Sequence, residues 1–502
     1  MSASTEKKNR KAARDAGTDK KALALEKEKQ EQARSRRNWT IGTILVVLLL
    51  AVTFFLNSGF LFKHTTAYTI NGESVSPAEV SYYYGAQESM YSQYASYYGM
   101  DISSFISEDD MLEAALEELE QIKAFCAYAD ENGITLDEDE IAEVTDELDY
   151  MELQVVSGGY KNLDTYLSYN YGTGVNRALA EKIQLEQALA EKAYNAKSDS
   201  LEYSDEELEE YYVSLEGEGD CFDYDYYYIS ADTVESEPDE DGNTTSSVTE
   251  ETMAEAKATA DAIVDAYEAS EEESAKDAFA MAVDAAAAGS VSGSNNIAGD
   301  SLNSAFKDWL MDSSRSEGDI YVCENSSATG YYVLVFLSRN DNHYNTVAMR
   351  HVLIKAEENE DGEYTEDALA AAREEAEALY EEWKSGEMTE DSFAELANSS
   401  SEDSGSNTTG GLYEDIYKGQ MVTEINDYIF SSSRKAGDTE IIDVVSSSYA
   451  GTHIVYFVGE GDLYSNVIAR DDLVDEAMET WQSETLEGYE AVAGWTKGLV
   501  GK

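Results

Sequence analysis

The stretch MRHVLIK at residues 349–355 decides the fold of the segment that it opens. Its apolar residues predict a buried β-strand, and a second run, GTHIVYFV at residues 451–458, predicts another strand at the far end of the same segment. Each strand contains one histidine, whereas the whole chain has only 4. Half of the histidines therefore lie in two strands that bracket one domain-sized segment.

Helical and glycine-rich patterns fill the space between these strands. Residues 367–384 carry apolar side chains at helical spacing: Leu369, Ala372, Ala376, Leu379 and Trp383. Residues 392–397 predict a shorter helix, and the glycines within residues 405–411 permit tight or left-handed turns after it. The segment therefore predicts an α+β domain.

Short motifs in a fixed order then identify the kind of domain. They are Arg350-His351-Val352-Leu353, Phe393 to Ala397, Ser401-Glu402-Asp403, Gly410-Gly411, Gly419-Gln420-Met421 and Gly451-Thr452-His453-Ile454. In this order they resemble the parvulin family of peptidyl-prolyl cis/trans isomerases. The resemblance implies an enzyme that isomerises the peptide bond before proline.

The resemblance also implies roles for individual residues. The positions that match catalytic residues of the family are His351, Asp403, His453 and Ser448, whose hydroxyl would support the second histidine. The positions that match the lining of the family's proline pocket are Met421, Ile425 and Phe430. Phenylalanine is usual where this chain has Ile425, and Asp-Leu-Gly is usual where Leu412 and Tyr413 follow the double glycine. These departures motivate an alternative, a holdase chaperone without catalysis.

The chemistry of isomerisation agrees with this set of residue types. Rotation about a peptide bond must overcome a barrier of roughly 18–20 kcal/mol, and no bond is broken. An apolar socket for the prolyl ring and a polar wall that favours the twisted amide are sufficient. Other roles are open: a histidine in an apolar strand is usually a core residue, Asp403 lies in a turn-like sequence, and Met421 and Phe430 also fit a core.

The N-terminal region predicts a membrane anchor. Residues 39–62 contain no charged residue, and this uncharged segment is long enough to cross a membrane as a helix. Residues 1–38 hold 12 Lys and Arg against 6 Asp and Glu, and the remainder of the chain holds 22 against 97. The basic flank predicts a cytoplasmic tail at residues 1–38 and an extracytoplasmic location for the rest, on a cell membrane crossed once. A cleaved signal peptide is the alternative.

The rest of the chain predicts three further parts, which complete a multidomain α+β protein. Residues 63–215 have helical patterns and resemble the chaperone module of SurA- and PrsA-type foldases. Residues 216–342 repeat the pattern of the isomerase segment at residues 343–460, with Tyr226 and Tyr332 at the histidine positions, and so predict a degenerate parvulin-like domain. Residues 461–502 predict a C-terminal helix that packs on the chaperone module.

These patterns define the expected partners. We expect no cofactor and no metal, since 3 scattered cysteines are too few for a zinc site. The predicted partners are unfolded or newly secreted polypeptides and the membrane. A net charge of −69 excludes nucleic acid, because it repels phosphate. The sequence leaves open a homodimer, and it leaves open a surface adhesion or scaffold protein as a second alternative function.

Overall fold

The computed structural model describes residues 2–17, 20–57, 59–237, 244–359, 362–446 and 449–502. The chain divides into two compact units. Unit 1 comprises Met1–Leu201 and Ala477–Lys502, and unit 2 comprises Glu202–Glu476. Helices and antiparallel sheets occur together, so the predicted α+β class is confirmed.

Unit 1 consists mainly of helices. In chain order, its first elements are α1 Ala3–Asp15, α2 Lys20–Asn57, α3 Phe60–His64, β1 Tyr68–Ile70, β2 Glu73–Val75, α4 Pro77–Tyr98, a 3₁₀ turn at Ile102–Ser104, α5 Glu108–Asn132, α6 Glu138–Ser157, α7 Leu163–Asn170 and α8 Arg177–Asp199.

Unit 2 contains two sheets with helices. Its helices are α9 Asp205–Ser214, α10 Glu250–Glu268, α11 Ala275–Ala287, α12 Lys307–Met311, α13 Glu366–Lys384, α14 Glu390–Ser400 and α15 Thr423–Ile429, with a 3₁₀ turn at Gly299–Ser301. Its strands are β3 Cys221–Ser230, β4 Thr233–Glu235, β5 Ser246–Val248, β6 Ser292–Ala298, β7 Ile320–Glu324, β8 Gly330–Asn340, β9 Asn345–Lys355, β10 Leu412–Ile416, β11 Thr439–Val445 and β12 Ala450–Leu463. Helix α16, Tyr464–Leu486, then leads back to unit 1, where β13 Val492–Ala493 pairs with β1 and a 3₁₀ turn follows at Lys497–Leu499.

Helix α2 contains most of the segment for which we predicted a membrane anchor. Ser58, within that segment, lies outside the described residues. In the described part of the chain, no helix is both long and apolar enough to span a membrane. The anchor remains a sequence-based prediction.

A partly buried ionic cluster and an aromatic cluster hold unit 1 together. Glu79 on α4 forms ion pairs with Lys123 on α5 at 3.1 Å and with Lys182 on α8 at 2.9 Å. Both lysines also form ion pairs with Glu186. Near the end of the chain, the Trp481 ring stacks on Phe125 with the ring centroids 4.8 Å apart. Three helices and the C-terminal segment are thus joined within one unit.

The two four-stranded sheets of unit 2 have the same antiparallel arrangement. Their strand orders are β6-β3-β8-β7 and β10-β9-β12-β11. In the second sheet His351 pairs with Val455, and His453 pairs with Leu353. In the first sheet Tyr226 pairs with Leu334, and Tyr332 pairs with Tyr228. Tyr226 and Tyr332 therefore occupy the sheet positions of His351 and His453.

Alternation along β9 separates the core from the candidate site. Val352 and Ile354 point to the face that α13 and α14 cover, where they pack with Trp383 and Phe393. Met349 and the other odd-numbered residues point to the opposite face, where α15 packs. Both histidines lie on that second face, beside a helix that covers only part of it.

Candidate active site

A cavity of about 360 Å³ lies on the second face of the β9–β12 sheet. Side chains from β9 and β12 form its floor, and the loops before α15 and after α14 supply its sides. The residues that line it are Met349, His351, Leu353, Lys355, Asp403, Tyr413, Gln420, Met421, Val422, Ile425, Tyr449 and His453. Polar groups and apolar side chains thus face one space.

The two histidines are in direct contact at the floor of the cavity. The Nδ1 atoms of His351 and His453 lie 3.0 Å apart, and the two rings are nearly parallel, at 15°. The antiparallel register causes this contact, since it places the two residues on the same face at diagonal positions of adjacent strands. Both side chains are buried.

The Asp403 carboxylate accepts hydrogen bonds from several donors. His351 Nε2 lies 2.9 Å from Oδ2, the Ser406 hydroxyl 2.6 Å and the Tyr413 hydroxyl 3.0 Å, while the Gly405 amide donates to Oδ1. Burial alone would raise the pKa of Asp403, but these donors outweigh it and hold the pKa well below its usual range. Asp403 is therefore ionised at neutral pH.

Both histidines are neutral at neutral pH. Burial lowers the pKa of His351, although Asp403 opposes this effect. Burial, reinforced by His351, lowers the pKa of His453 to about 3. An ionised carboxylate can only accept a hydrogen bond, so the proton of neutral His351 lies on Nε2 and its Nδ1 is an acceptor.

The tautomer of His453 follows from that of His351. Because Nδ1 of His351 accepts, Nδ1 of His453 must carry the donated proton, which leaves Nε2 of His453 as an acceptor. The Tyr449 hydroxyl lies 3.0 Å from this Nε2 and therefore donates to it. One directed chain of hydrogen bonds runs from Tyr449 through His453 and His351 to Asp403.

The structure brings most of the predicted site residues together. His351, His453 and Asp403 form the hydrogen-bonded chain, and Met421 and Ile425 line the apolar side of the same cavity. Ser448 lies outside the described residues. Phe430 is not part of the lining, because it follows the last residue of α15 and its ring packs edge-on against Tyr344.

Three hydroxyl groups of the network were not predicted from the sequence. Tyr449 donates to His453 and is the neighbour of Ser448, to which we had given that task. Tyr413 departs from the usual family pattern, and its hydroxyl binds Asp403. Ser406 lies within residues 405–411, for which the sequence predicted only turns. The signal for Tyr413 was present, since a polar ring replaced an apolar residue beside the predicted site.

The fold and the site define an isomerase domain of the parvulin type. Residues 351–459 match the family model for the rotamase or PPIC-type PPIase domain. This segment is therefore a parvulin-type peptidyl-prolyl cis/trans isomerase domain, and the enzyme class expected from the motifs is confirmed. No curated protein matches the chain.

Several solved structures are similar to this chain. They include peptidylprolyl isomerase PrsA from Bacillus anthracis (22% identity over 29% of this chain and 59% of that one, TM-score 0.18) and PrsA from Bacillus cereus (25% identity, 29% and 49%, TM-score 0.19). A third is foldase protein PrsA from Streptococcus pneumoniae str. Canada MDR_19A (11% identity, 77% and 88%, TM-score 0.22). The chain spans 59% and 49% of the first two.

Proposed function

We propose that this protein is an extracytoplasmic foldase that isomerises X-Pro peptide bonds in secreted polypeptides and also binds those polypeptides as a chaperone. One observation carries the catalytic part of the proposal. A directed chain of polar groups ending in an ionised carboxylate faces Met421 and Ile425 across a cavity of about 360 Å³.

The geometry suits the rotation of an amide rather than proton transfer. As the peptide bond twists, its resonance is lost and its carbonyl carbon becomes more electron-poor. The fixed negative charge of Asp403 favours that state over the planar one, because its donors already hold it in place. His453, whose burial lowers its pKa to about 3, remains neutral and therefore orients the network without acting as an acid.

The apolar side of the cavity supplies the second requirement. Met421 and Ile425 lie beside Val422 and Leu353 in the lining, where they present aliphatic surface to a ring of proline's size. Binding of the prolyl ring by this apolar side fixes the nitrogen side of the X-Pro bond while the residue before proline rotates. Binding and twisting are thus assigned to different walls of one cavity.

An exposed aromatic surface of unit 1 supports the chaperone part. It consists of exposed residues in the second half of α4 and in the segment that follows it: Met90, Tyr94, Tyr97, Tyr98, Met100 and Phe105. Tyr97 is 83% exposed and Tyr98 62% exposed. Clusters of exposed aromatic and methionine side chains suit irregular apolar partners such as unfolded chains. An adhesion protein would not need to protect such chains from aggregation.

The charge distribution supports the proposed location. The N-terminal residues 1–38 are basic, residues 39–62 are uncharged, and the rest of the chain is strongly acidic. We place the isomerase domain outside the cell membrane on this basis. Protease added to intact cells should digest the acidic part and leave the N-terminal tail. Protection of the isomerase domain in intact cells would contradict the location.

We assign no catalysis to the first sheet of unit 2. Tyr226 and Tyr332 occupy the two histidine positions there, with ring centroids 5.9 Å apart, and Phe306 packs edge-on against Tyr332. Phenol rings at these positions cannot reproduce the directed imidazole chain. The proposed isomerase site is therefore that of the second sheet alone.

A protease-coupled assay with a prolyl tetrapeptide on the full chain tests the proposal. We expect Asp403→Asn to lower kcat/KM by at least about tenfold, since it removes the fixed charge. His453→Ala should have a comparable effect. Tyr332→Phe, at the corresponding position of the first sheet, should change nothing. Equal isomerisation rates for the wild type and His453→Ala would contradict the proposed catalysis and favour the holdase alternative.

A further inference from the structure

An aromatic cluster outside the isomerase segment contacts the loop that carries Met421. The loop, Tyr417–Met421, joins β10 to α15 and contributes Gln420 and Met421 to the cavity lining. Tyr344 lies just before β9, and Tyr464 is the first residue of α16. Both tyrosines lie beyond residues 351–459, the segment that matches the isomerase family.

Tyr344 holds the centre of this loop through two contacts. Its hydroxyl accepts a hydrogen bond from the Lys418 backbone amide at 3.0 Å. The Lys418 ammonium lies 4.1 Å from the centroid of the same ring, a cation–π contact. The Tyr344 ring also meets Phe430 edge-on, with centroids 6.0 Å apart. Tyr344 thus connects the loop to the end of α15.

Tyr464 holds the start of the loop. Its ring stacks on Tyr417 with centroids 4.8 Å apart and an angle of 13° between the planes. Its backbone amide donates to the Tyr344 carbonyl at 2.8 Å, so the two clamping residues are also fixed to each other. Burial raises the pKa of Tyr344 to about 12, so its hydroxyl keeps its proton at neutral pH.

The loop also has hydrogen bonds of its own, which close it locally and join it to α15. Gly419 has a φ of +89°, and its amide donates to the Asn426 side chain at 2.8 Å. The Gln420 side chain accepts from the Tyr417 amide at 3.0 Å, which closes the loop on itself. Asn296 of β6, in the first sheet, lies close enough that a Cβ on Gly419 would stand 3.6 Å from its Nδ2.

We propose that Tyr344 is a positioning residue for the isomerase: with Tyr464 it fixes the loop Tyr417–Met421, and it thereby sets the affinity of the cavity for the prolyl ring. This inference rests on the proposed function. Met421 moves with the backbone that Tyr344 holds, whereas the chain from Tyr449 to Asp403 belongs to other elements. Loss of the clamp therefore weakens substrate binding and leaves the polar wall intact.

Tyr344→Phe in the full chain tests the clamp, because it removes the acceptor of the Lys418 amide and keeps the ring. We expect amide hydrogen exchange at Lys418 to accelerate by about fivefold or more. KM for an Ala-Ala-Pro-Phe peptide should rise by about three- to tenfold, with kcat within about twofold of the wild type. Tyr344→Ala should raise KM further.

Tyr380→Phe is the matched control. Tyr380 lies on α13, the helix that covers the other face of the sheet, and the variant removes its hydrogen bond to Thr439 of β11 at 2.6 Å. This control should leave both the Lys418 exchange and KM unchanged. Unchanged exchange at Lys418 in Tyr344→Phe overturns the proposal, and so does a fall in kcat at constant KM.

A failure of the proposed function would be recognised separately. A wild-type chain without isomerase activity contradicts that function. The clamp would then be judged by the exchange at Lys418 and by the dissociation constant of the same peptide, measured by nuclear magnetic resonance titration. A weaker complex and faster exchange in Tyr344→Phe support the clamp, and equal values overturn it.

Discussion

Tyr449 is the residue whose removal tests the direction of the hydrogen-bonded chain. Its hydroxyl donates to Nε2 of His453, whose own proton lies on Nδ1. In Tyr449→Phe, Nε2 of His453 loses its donor, whereas Asp403 still fixes the tautomer of His351 and, through it, that of His453. We expect kcat to fall by about three- to tenfold, because a lost hydrogen bond of this kind is worth about 1 kcal/mol.

Nitrogen chemical shifts of the two imidazoles measure this effect directly. In the wild type, His453 should show a protonated Nδ1 and an unprotonated Nε2. The variant should keep these protonation states, and the shift of His453 Nε2 should move to that of an imidazole nitrogen that accepts no hydrogen bond from Tyr449. A protonated Nε2 and an unprotonated Nδ1 on His453 of the wild type would contradict the deduced tautomers.

The buried histidines predict a loss of stability in mild acid. The pKa of His453 in the folded chain is about 3, and that of His351 is also lowered, whereas an unfolded histidine titrates near about 6.5. Below about pH 6.5 the unfolded chain therefore binds more protons, and stability falls as the pH decreases toward 3. Above that window the contribution is fully present.

Asp403 acts in the same direction at lower pH. Its folded pKa lies below the unfolded value, so its contribution is lost as the pH falls through about 4 and below. Denaturant titrations of unit 2 between pH 7 and 4 measure the histidine part. In His453→Gln, the unfolded chain takes up one proton fewer in this window. The slope of the free energy of unfolding against pH should therefore decrease by up to about 1.4 kcal/mol per pH unit. An unchanged slope would contradict the buried, neutral state.

The sequence identified at this scale only those residues that a motif fixes. His351, His453, Asp403, Met421 and Ile425 follow from motif order and strand alternation. Tyr449, whose hydroxyl binds His453, was not predicted, since spacing alone does not show which loop side chains turn inward. Ser448 lies outside the described residues, and its role stays a prediction. Phe430 was assigned to the lining from its position in the family pattern, but its ring packs on Tyr344. The sequence does not show this contact, because the orientation of a side chain at a helix end depends on its neighbours.

At the scale of elements, Gly411 determines how closely the loop after α14 approaches β9. Its φ is +69°, and its carbonyl accepts the His351 amide at 2.9 Å. A Cβ at this position would collide with the backbone oxygen of His351. We expect Gly411→Ala to lower the free energy of unfolding by about 3 kcal/mol or more, because backbone atoms cannot yield easily.

Gly459→Ala is the matched control for Gly411→Ala. Gly459 lies in β12, and an added Cβ there would meet no atom within 4 Å. Its variant should differ from the wild type by less than about 0.5 kcal/mol. Thermal and denaturant unfolding of both variants measure the difference, and similar losses for the two would contradict the close approach.

The repeat of the fold was predictable at this scale, and its internal contacts were not. Matching helices and closing strands in residues 216–342 predicted a second copy, and the two sheets do have the same strand order. The inverted charges were not foreseen. Arg350 on β9 bonds Glu390 of α14 at 3.0 Å, whereas the equivalent residue of β3 is Asp225, a buried acid that faces the charge of Lys276 on α11.

At the scale of the whole molecule, the chain returns to the unit in which it began. The sequence predicted that residues 461–502 form a helix, but the helix is divided between the units. Tyr464 belongs to unit 2 and clamps the loop there, whereas Ala477–Lys502 belong to unit 1. Likewise, α9 belongs to unit 2, although we had predicted a boundary after residue 215. Helical periodicity continues through such a division and does not reveal it.

Trp481 tests whether the returning segment stabilises unit 1 alone. Its ring stacks on Phe125 and meets Tyr128 edge-on, with centroids 5.0 Å apart, so Trp481→Ala removes a buried aromatic contact between distant parts of the chain. We expect the free energy of unfolding of unit 1 to decrease by about 3–5 kcal/mol. The isomerase site lies in unit 2, so peptide turnover at moderate temperature should not change.

Trp495→Ala provides the comparison, because that tryptophan is 77% exposed and its loss should cost less than about 0.5 kcal/mol. Tyrosine and tryptophan fluorescence, together with residual isomerase activity, follow the unfolding of the chain. Two separate transitions would distinguish the unfolding of unit 1 from that of unit 2. A loss of isomerase activity in parallel with the first transition of Trp481→Ala would show that the units unfold as one. Independent transitions would instead mean that client binding and isomerisation are carried by separately stable parts of the chain.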